Sequence, residues 1–429
     1  MRTVLLVLAG LLAALLVAAL GGWLLLRTVL APLPGEWAVP VGWGPLRFQA
    51  GVPSAVRLAT SWWGGPLLHG RTLDSRHGRL HFVWVDGALH VRCAPCVLQA
   101  PGLGRDRLQL EEVDLTARRL ADRLSGEFSA GTVGGRWQGE LADGGLRLRL
   151  DLPVTPVADV YALFARDLRE VGRARIEGQL ALQARFSLPG GSLAVVPRLE
   201  GFQVAGLGTE ALAGARSTCS RRPARLRPDS WLARAVVAAE DQRFFEHPGY
   251  DLQEVAAALA RNEQAGRIER GASTLSQQLA KLLVAGEERS PLRKLRELLY
   301  AVELERTLGK ARILRLYLDN APWGHGVCGA EAAALHYFGV RAHELTAGQA
   351  SWLAAMLHNP AQEAQRWAAT GQINLARAQW VALRLRGMPR DAKLALAEAL
   401  ATQDWTPRWA EPGPRAEQGD APLPAGAAN

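Results

Sequence analysis

The apolar residues of this chain change their spacing once, and that change divides what it can fold into. From about residue 80 to residue 208 they alternate with polar ones, as in Leu80-His81-Phe82-Val83-Trp84-Val85, Leu146-Arg147-Leu148-Arg149-Leu150 and Gln179-Leu180-Ala181-Leu182-Gln183-Ala184. Side chains two apart share one strand face, and Gly and Asp-Gly breaks separate the runs, so antiparallel strands are predicted here. One helical patch at 157–168 interrupts them. From Asp229 onward apolar residues recur three and four apart, the spacing of helices. Ser290-Pro291 reads as a capped helix start and Gly309 as its stop after Leu308. Further helices are predicted at 310–318, 347–357 and 364–386.

The chain therefore reads as an α+β multidomain protein, and its 429 residues leave room for two or three domains. Residues 1–30 contain an uncharged Leu/Ala-rich run at 3–26. It is long enough to cross a bilayer and exceeds the apolar core of a cleaved signal peptide, about 7–15 residues. It predicts a single N-terminal transmembrane helix, with the N-terminus inside and the bulk of the chain extracytoplasmic. Residues 31–79, rich in Gly, Pro and Trp, read as linker and irregular structure. Residues 80–215 read as a β-rich extracytoplasmic domain of its own, without a cluster of catalytic residue types. Residues 222–405 form the helical domain, and 411–429 a disordered, Pro/Ala/Gly-rich tail.

The net charge of +9 comes almost entirely from arginine. A basic balance fits nucleic acid as a class, but no nucleic-acid module is visible, so that partner is not expected. Lysine occurs only at Lys281, Lys294, Lys310 and Lys393. Cys93-Ala94-Pro95-Cys96 sits among predicted strands and reads as a structural disulfide clip across a hairpin. No second ligand pair follows at zinc-binding spacing, so no metal site is predicted.

The densest chemistry lies in Glu240-Asp241-Gln242-Arg243-Phe244-Phe245-Glu246-His247-Pro248-Gly249. Leu232, Val236 and Ala239 recur at helical spacing and place Glu240 near the C-terminal end of a buried helix. Partial burial and the negative end of the helix dipole favour a proton-accepting carboxylate there. The same ten residues also read as a surface Glu-Asp pair before a His-Pro turn, and His247 as a residue that orders that turn. Downstream come Gly271-Ala272-Ser273-Thr274-Leu275-Ser276-Gln277-Gln278-Leu279-Ala280-Lys281, then Arg293-Lys294-Leu295-Arg296-Glu297, then Lys310-Ala311-Arg312-Ile313-Leu314-Arg315-Leu316-Tyr317-Leu318. Thr274 and Gln277 fit a capping box, and free amides at that helix start could hold a phosphate or a sugar hydroxyl. Ser273, Gln277 and Gln278 are candidate hydrogen bonders. Arg293, Lys294 and Glu297 can share one helix face, either as an anion site or as a solvent-facing ion-pair ladder. Phe244, Phe245, Leu318 and Tyr337 read as core, and 266–271 as a mobile lid.

In order and spacing these blocks resemble those of the glycosyltransferase family 51 peptidoglycan polymerases: E-D-x-x-F-x-x-H-x-G, G-x-S-T-x-T-Q-Q, R-K-x-x-E and K-x-x-I-L-x-x-Y-L-N. Tyr337-Phe338-Gly339 looks like a fifth block, and Trp323-Gly324 is most like the monofunctional members. The resemblance covers about residues 228–360. Ser276 stands where the pattern has Thr and Asp319 where it has Asn, with Asn320 placed to substitute.

The resemblance implies an all-α, lysozyme-like transglycosylase domain on the outer face of the bacterial inner membrane. It implies polymerisation of lipid II into glycan strands, by inverting transfer with loss of undecaprenyl pyrophosphate. Glu240 and Glu297 match the two family carboxylates. Asp241, His247, Ser273, Thr274, Gln277, Gln278, Lys281, Arg293 and Lys294 match substrate-binding positions. No cofactor is obligatory, although Mg2+ or Mn2+ can accompany the pyrophosphate. The expected partners are lipid II, the growing strand and the membrane, with cell-wall synthesis proteins reached through the β-rich region. No penicillin-sensitive acyl-transfer module follows residue 360. Two rivals remain: a lysozyme-like muramidase, which also uses a helix-borne Glu, and a non-catalytic scaffold with a degenerate transferase fold.

Overall fold

The computed structural model describes residues 17, 20–24, 27–41, 47–75, 77–98, 108–142, 144–189, 193–214, 222–265, 271–285, 291–324 and 326–405. Among the described residues no helix is long and apolar enough to cross a membrane. Most of the apolar run at 3–26, the lid at 266–270, the Ser290 cap and the tail at 411–429 lie outside them. The chain has a β-rich N-terminal part and a helical C-terminal part, and it gathers into two compact units.

The first unit comprises residues 1–211, 247–273 and 284–307. The described residues of 31–79 are not all irregular. They form a hairpin of β1 (Ala38–Val41) and β2 (Phe48–Gly51), helices α1 (Val52–Ala59) and α2 (Gly64–Leu68), and strand β3 (Thr72–Ser75). Single Gly and Pro residues at element boundaries hid these short pieces. A ten-stranded antiparallel sheet follows, of β3, β4 (Gly78–Val85), β5 (Ala88–Leu98), β6 (Leu108–Leu110), β7 (Val113–Leu120), β8 (Arg123–Ala130), β9 (Val133–Ala142), β10 (Gly145–Pro156), β11 (Arg175–Leu188) and β12 (Leu193–Ala205). Its order is β12-β11-β10-β9-β8-β7-β5-β4-β3, with β6 beside β5.

The alternation read from the sequence is the inside–outside pattern of this sheet. Arg147 and Arg149 face solvent, while Leu146, Leu148 and Leu150 pack on Leu124, Trp137 and Leu141. The Trp137 indole crosses β8 to donate to the Thr116 carbonyl at 2.9 Å. Gly126 lies in between, where a Cβ would sit 1.7 Å from that carbonyl oxygen, so only glycine permits the crossing. Helix α3 (Val157–Ala165) covers the sheet and buries Val157, Tyr161 and Ala165. Cys93 and Cys96 are joined by a disulfide and pack with Leu110 and Ala130. The bridge lies within β5 rather than across a hairpin, where the strand passes from pairing with β7 to pairing with β6.

The sheet is also not a domain of its own. Helix α4 (Arg169–Arg173), helix α6 (Leu252–Ala265) and residues 291–307 of a long helical run, α8 (Pro291–Asn320), complete the same unit. The Tyr161 hydroxyl donates to the Leu295 carbonyl at 3.2 Å, and Arg296 pairs with Glu170 at 3.2 Å. Glu303 is fully buried and accepts from the backbone amides of Leu207 (2.9 Å) and Thr209 (3.4 Å). An unpaired buried amide is expensive, so Glu303→Ala should cost about 2–4 kcal/mol. Amide exchange at Leu207 and Thr209 should accelerate about 30-fold or more, the factor for about 2 kcal/mol. Exchange unchanged at those two amides would show that Glu303 is not their anchor.

The second unit comprises residues 212–246, 274–283 and 308–429. Its described elements are α5 (Trp231–Glu240), α7 (Leu275–Ala280), the remainder of α8, α9 (Ala330–Phe338), α10 (Ala347–Met356), α11 (Pro360–Thr370), α12 (Leu375–Ala382) and α13 (Arg390–Thr402). Gly309, with φ 69° and ψ 164°, breaks α8 where the sequence placed the stop. The single helix expected over 364–386 is instead two, because Gly371 takes a left-handed conformation and ends α11. Alanine-rich α5 and α10 lie against each other, and α5 is buried on nearly every side. Tyr337, Phe338, Trp352, Trp367 and Trp405 form an aromatic cluster behind them. Phe244, Leu318 and Tyr337 are core as expected, but Phe245 is half exposed, its ring edge-on to Phe244.

Candidate active site

In the second unit the motif residues converge on Glu240. Burial of Leu232, Ala233 and residues 235–239 fixes helix α5, so its last residue is held with its side chain largely buried. Glu240 accepts from the Gln278 amide at 3.1 Å through one oxygen and from Arg377 at 3.1 Å through the other. Arg377 also reaches the Ala239 carbonyl at 3.4 Å. The Tyr317 hydroxyl donates to Gln278 Oε1 at 2.8 Å. Burial, with the nearby Glu240 charge, pushes the Tyr317 pKa well up, so this phenol stays a donor. Its bond orients the Gln278 amide with Nε2 towards Glu240.

The neighbouring residues position this trio. Asp241 accepts from the Leu275 amide at 2.9 Å and ties the start of α7 to the end of α5. Thr274 and Gln277 form the predicted capping box, with bonds of 3.2 and 3.1 Å. Gln278 stands four residues after Thr274, one turn into α7, and Lys281 follows at its end with an exposed side chain. Three of the amides at this helix start are spent within the protein. Leu275 donates to Asp241, Gln277 to the Thr274 hydroxyl and Gln278 to the Thr274 carbonyl. Lys310 lies over the Phe244 ring at 4.5 Å, a cation–π contact.

Asn320, the residue placed to substitute for the family asparagine, is buried. Its side chain donates back to the Leu316 carbonyl at 2.8 Å, within its own helix. Asp319 instead accepts from the Ala224 amide at 2.8 Å, a bond an asparagine oxygen could equally accept. Burial pushes the Asp319 carboxyl above the usual range, while that amide, Arg312 and Arg315 act the other way.

In the first unit a second group assembles. Glu297 is 1% exposed. One of its oxygens accepts from Arg293 at 2.5 Å and the other from Lys294 at 2.6 Å. Lys294, half exposed, also donates to the Ser273 hydroxyl at 2.7 Å. A solvent-facing ladder would leave the carboxylate wet. Here it is a buried counter-ion that fixes two cations, one of them open to solvent. His247 accepts from the Gly249 amide at 3.1 Å and so orders its turn, where Gly249 has φ 94°.

The structure thus groups Glu240, Asp241, Thr274, Gln277 and Gln278 in one unit, and Ser273, Arg293, Lys294 and Glu297 in the other. Sequence reasoning missed Arg377, which lies beyond the last block and belongs to no motif. It read Tyr317 only as part of a pattern. Among the described residues no three of His, Cys, Asp and Glu come together as a metal ligand set. A concavity of about 770 Å³ on the polar face of the sheet, lined by Asp114, Glu127, Arg136, Asp151 and Arg198 among others, contains none of the motif residues.

A transglycosylase family profile matches residues 220–386. The chain is similar to proteins named biosynthetic peptidoglycan transglycosylase. That of Laribacter hongkongensis is 50% identical over 129 residues, 30% of this chain and 57% of the relative. That of Ectopseudomonas mendocina is 44% identical over 191 residues, 44% of this chain and 76% of the relative. That of Stutzerimonas stutzeri is 43% identical over 190 residues, again 76% of its length.

Proposed function

This chain belongs to the peptidoglycan transglycosylase family, and from that premise we propose that it polymerises lipid II into glycan strands. The 4-hydroxyl oxygen of the acceptor sugar attacks the anomeric carbon of the donor and forms the new glycosidic bond. The bond from that carbon to the pyrophosphate breaks, and undecaprenyl pyrophosphate leaves with the electron pair. The hydroxyl proton passes to the Glu240 carboxylate. The observation that carries this reading is the way Gln278, Tyr317 and Arg377 hold Glu240 in one orientation at the end of a buried helix. A carboxylate has about four lone-pair sites, so these two bonds leave capacity for a substrate hydroxyl.

Arg293 and Lys294 counter the pyrophosphate charge, a task a glycan hydrolase does not have. Glu297 touches both cations and acts as their positioning residue. With both its oxygens occupied, it does not fit as a ligand of a divalent ion. Mg2+ or Mn2+ would be held by the pyrophosphate and water, and no step depends on it. Residues 3–26 anchor the chain in the inner membrane, with the remainder outside the cytoplasm, where lipid-linked donor is presented.

Incubation of the full chain with lipid II tests the reading. Long glycan polymer and released undecaprenyl pyrophosphate are expected. Shortening of preformed glycan would mark a muramidase, and lipid II bound but unchanged would mark a scaffold.

A further inference from the structure

One end of the sheet carries a charge pattern that the transferase chemistry does not use. The β7–β8, β9–β10 and β11–β12 connections all lie at that end. Next to it Leu120 pairs with Arg123, Arg123 with Glu140 and Glu140 with Arg147. One step inward Arg118 pairs with Ser125, Ser125 with Gln138, Gln138 with Arg149 and Arg149 with Arg185. Residues paired across strands share a face, so Arg118, Arg123, Arg147, Arg149 and Arg185 form one exposed patch. Glu140 lies among them, 3.8 Å from Arg147. Of the acidic residues in the adjoining described turns, Asp122 is paired with Arg57 at 3.1 Å, and Asp86 stands in the β4–β5 turn at the same end, so five arginines face Glu140 and Asp86 there.

The N-terminal segment leaves from the same end. The Trp37 amide donates to the Gly144 carbonyl in the β9–β10 turn at 2.6 Å, and the Gly51 amide to the Leu30 carbonyl at 2.8 Å. Helix α1 then crosses towards the β7–β8 turn, where Arg119 donates to Thr60 at 2.9 Å and to the Ala121 carbonyl at 2.7 Å. Trp62 and Trp63 follow that helix, 85% and 47% exposed, and Leu120, the last residue of β7, is 83% exposed. Helix α1 packs through Val56 on the Leu124 and Trp137 face, opposite the arginines, so the exposed Trp residues share this end of the sheet with the arginines rather than one face with them, whereas Leu120 pairs with Arg123. Aromatic rings at headgroup level and cations on phosphates are the layering of a membrane interface.

We propose that this end of the sheet docks on anionic phospholipid headgroups of the bilayer that residues 3–26 enter. The orientation rests on the anchor argued above. Leu30 is four residues past the apolar run, and residues 27–29 are helical, a rise of about 6 Å, so the patch is held near the membrane before any other partner arrives. Each arginine close to an anionic surface should raise partitioning about fivefold, an effect that fades beyond a Debye length of about 8 Å. Charge complementarity and this tethering single out lipid as the occupant.

The test uses the full chain carrying an environment-sensitive fluorophore on Leu120→Cys, in nanodiscs of phosphatidylcholine with or without phosphatidylglycerol. A blue shift is expected only with phosphatidylglycerol. It should vanish when Arg118, Arg149 and Arg185 are replaced together by Ser, and equally, with no substitution at those arginines, when NaCl is raised to about 0.5 M. Equal emission in both discs, or a shift indifferent to salt, would overturn the proposal. So would a shift in phosphatidylcholine alone that grows with protein concentration, which would assign the face to a second copy. Release of the chain from vesicles by alkaline carbonate would count against the anchor. The response to phosphatidylglycerol vesicles would then still decide the face.

Discussion

Replacing Glu240 by Gln is expected to slow polymerisation by about 100-fold or more, the scale on which loss of a general base is felt, while lipid II still binds. The substitution keeps the shape and one hydrogen-bond acceptor. It removes the group that takes the hydroxyl proton. The bond from Gln278 can persist, whereas Arg377 loses its charged partner, so the variant should be paired with Arg377→Met. If Arg377 only orients the base, its loss should cost less than that of Glu240. It should also leave residual activity that responds to pH, because the base is still present. Binding should survive in both variants, since Glu240 meets the attacking hydroxyl rather than the pyrophosphate. Polymer yield and lipid II affinity, measured on the same samples, separate these effects. Near-normal polymerisation by Glu240→Gln would remove Glu240 from the chemistry and favour the scaffold.

The parts of the site that were legible in the sequence are those set by local spacing. Glu240 follows a helix whose apolar residues declare their own burial, and Thr274 and Gln277 cap because capping is a four-residue matter. Arg293, Lys294 and Glu297 lie one turn apart on one helix, so their cluster was also local. What escaped were contacts across long stretches of chain. Arg377 meets Glu240 from 137 residues away, and no local pattern announces it. The spending of the α7 amides on Asp241 and Thr274 likewise depends on where α7 lands. In the fold, alternation revealed the strands but not that residues 247–273 and 291–307 belong with the sheet. That arrangement rests on single buried groups such as Glu303, whose partners lie 96 and 94 residues away. The short elements within 31–79 escaped for the opposite reason, since each is too brief for a period to be counted.

Glu297→Gln should reduce turnover by about 10- to 100-fold, the range expected when charged groups lose their fixed placement rather than their chemistry. The carboxylate is buried and bonded to Arg293 and Lys294 at once. Gln removes its negative charge and offers one acceptor oxygen where two cations need partners. Breaking a buried pair in this way costs about 3–5 kcal/mol of stability, so melting must be measured beside activity. Glu297→Asp, which keeps the charge, should recover part of the loss. The net charge of the cluster rises by one, so affinity for the anionic donor should hold or increase while turnover falls. The defect should shrink as salt rises from about 0.05 to 0.5 M or as Mg2+ is added, because ions screen the misplaced cations. A general base would give a different signature, a loss of the same size at every ionic strength. That outcome would move Glu297 from positioning the cations to touching the reacting sugar.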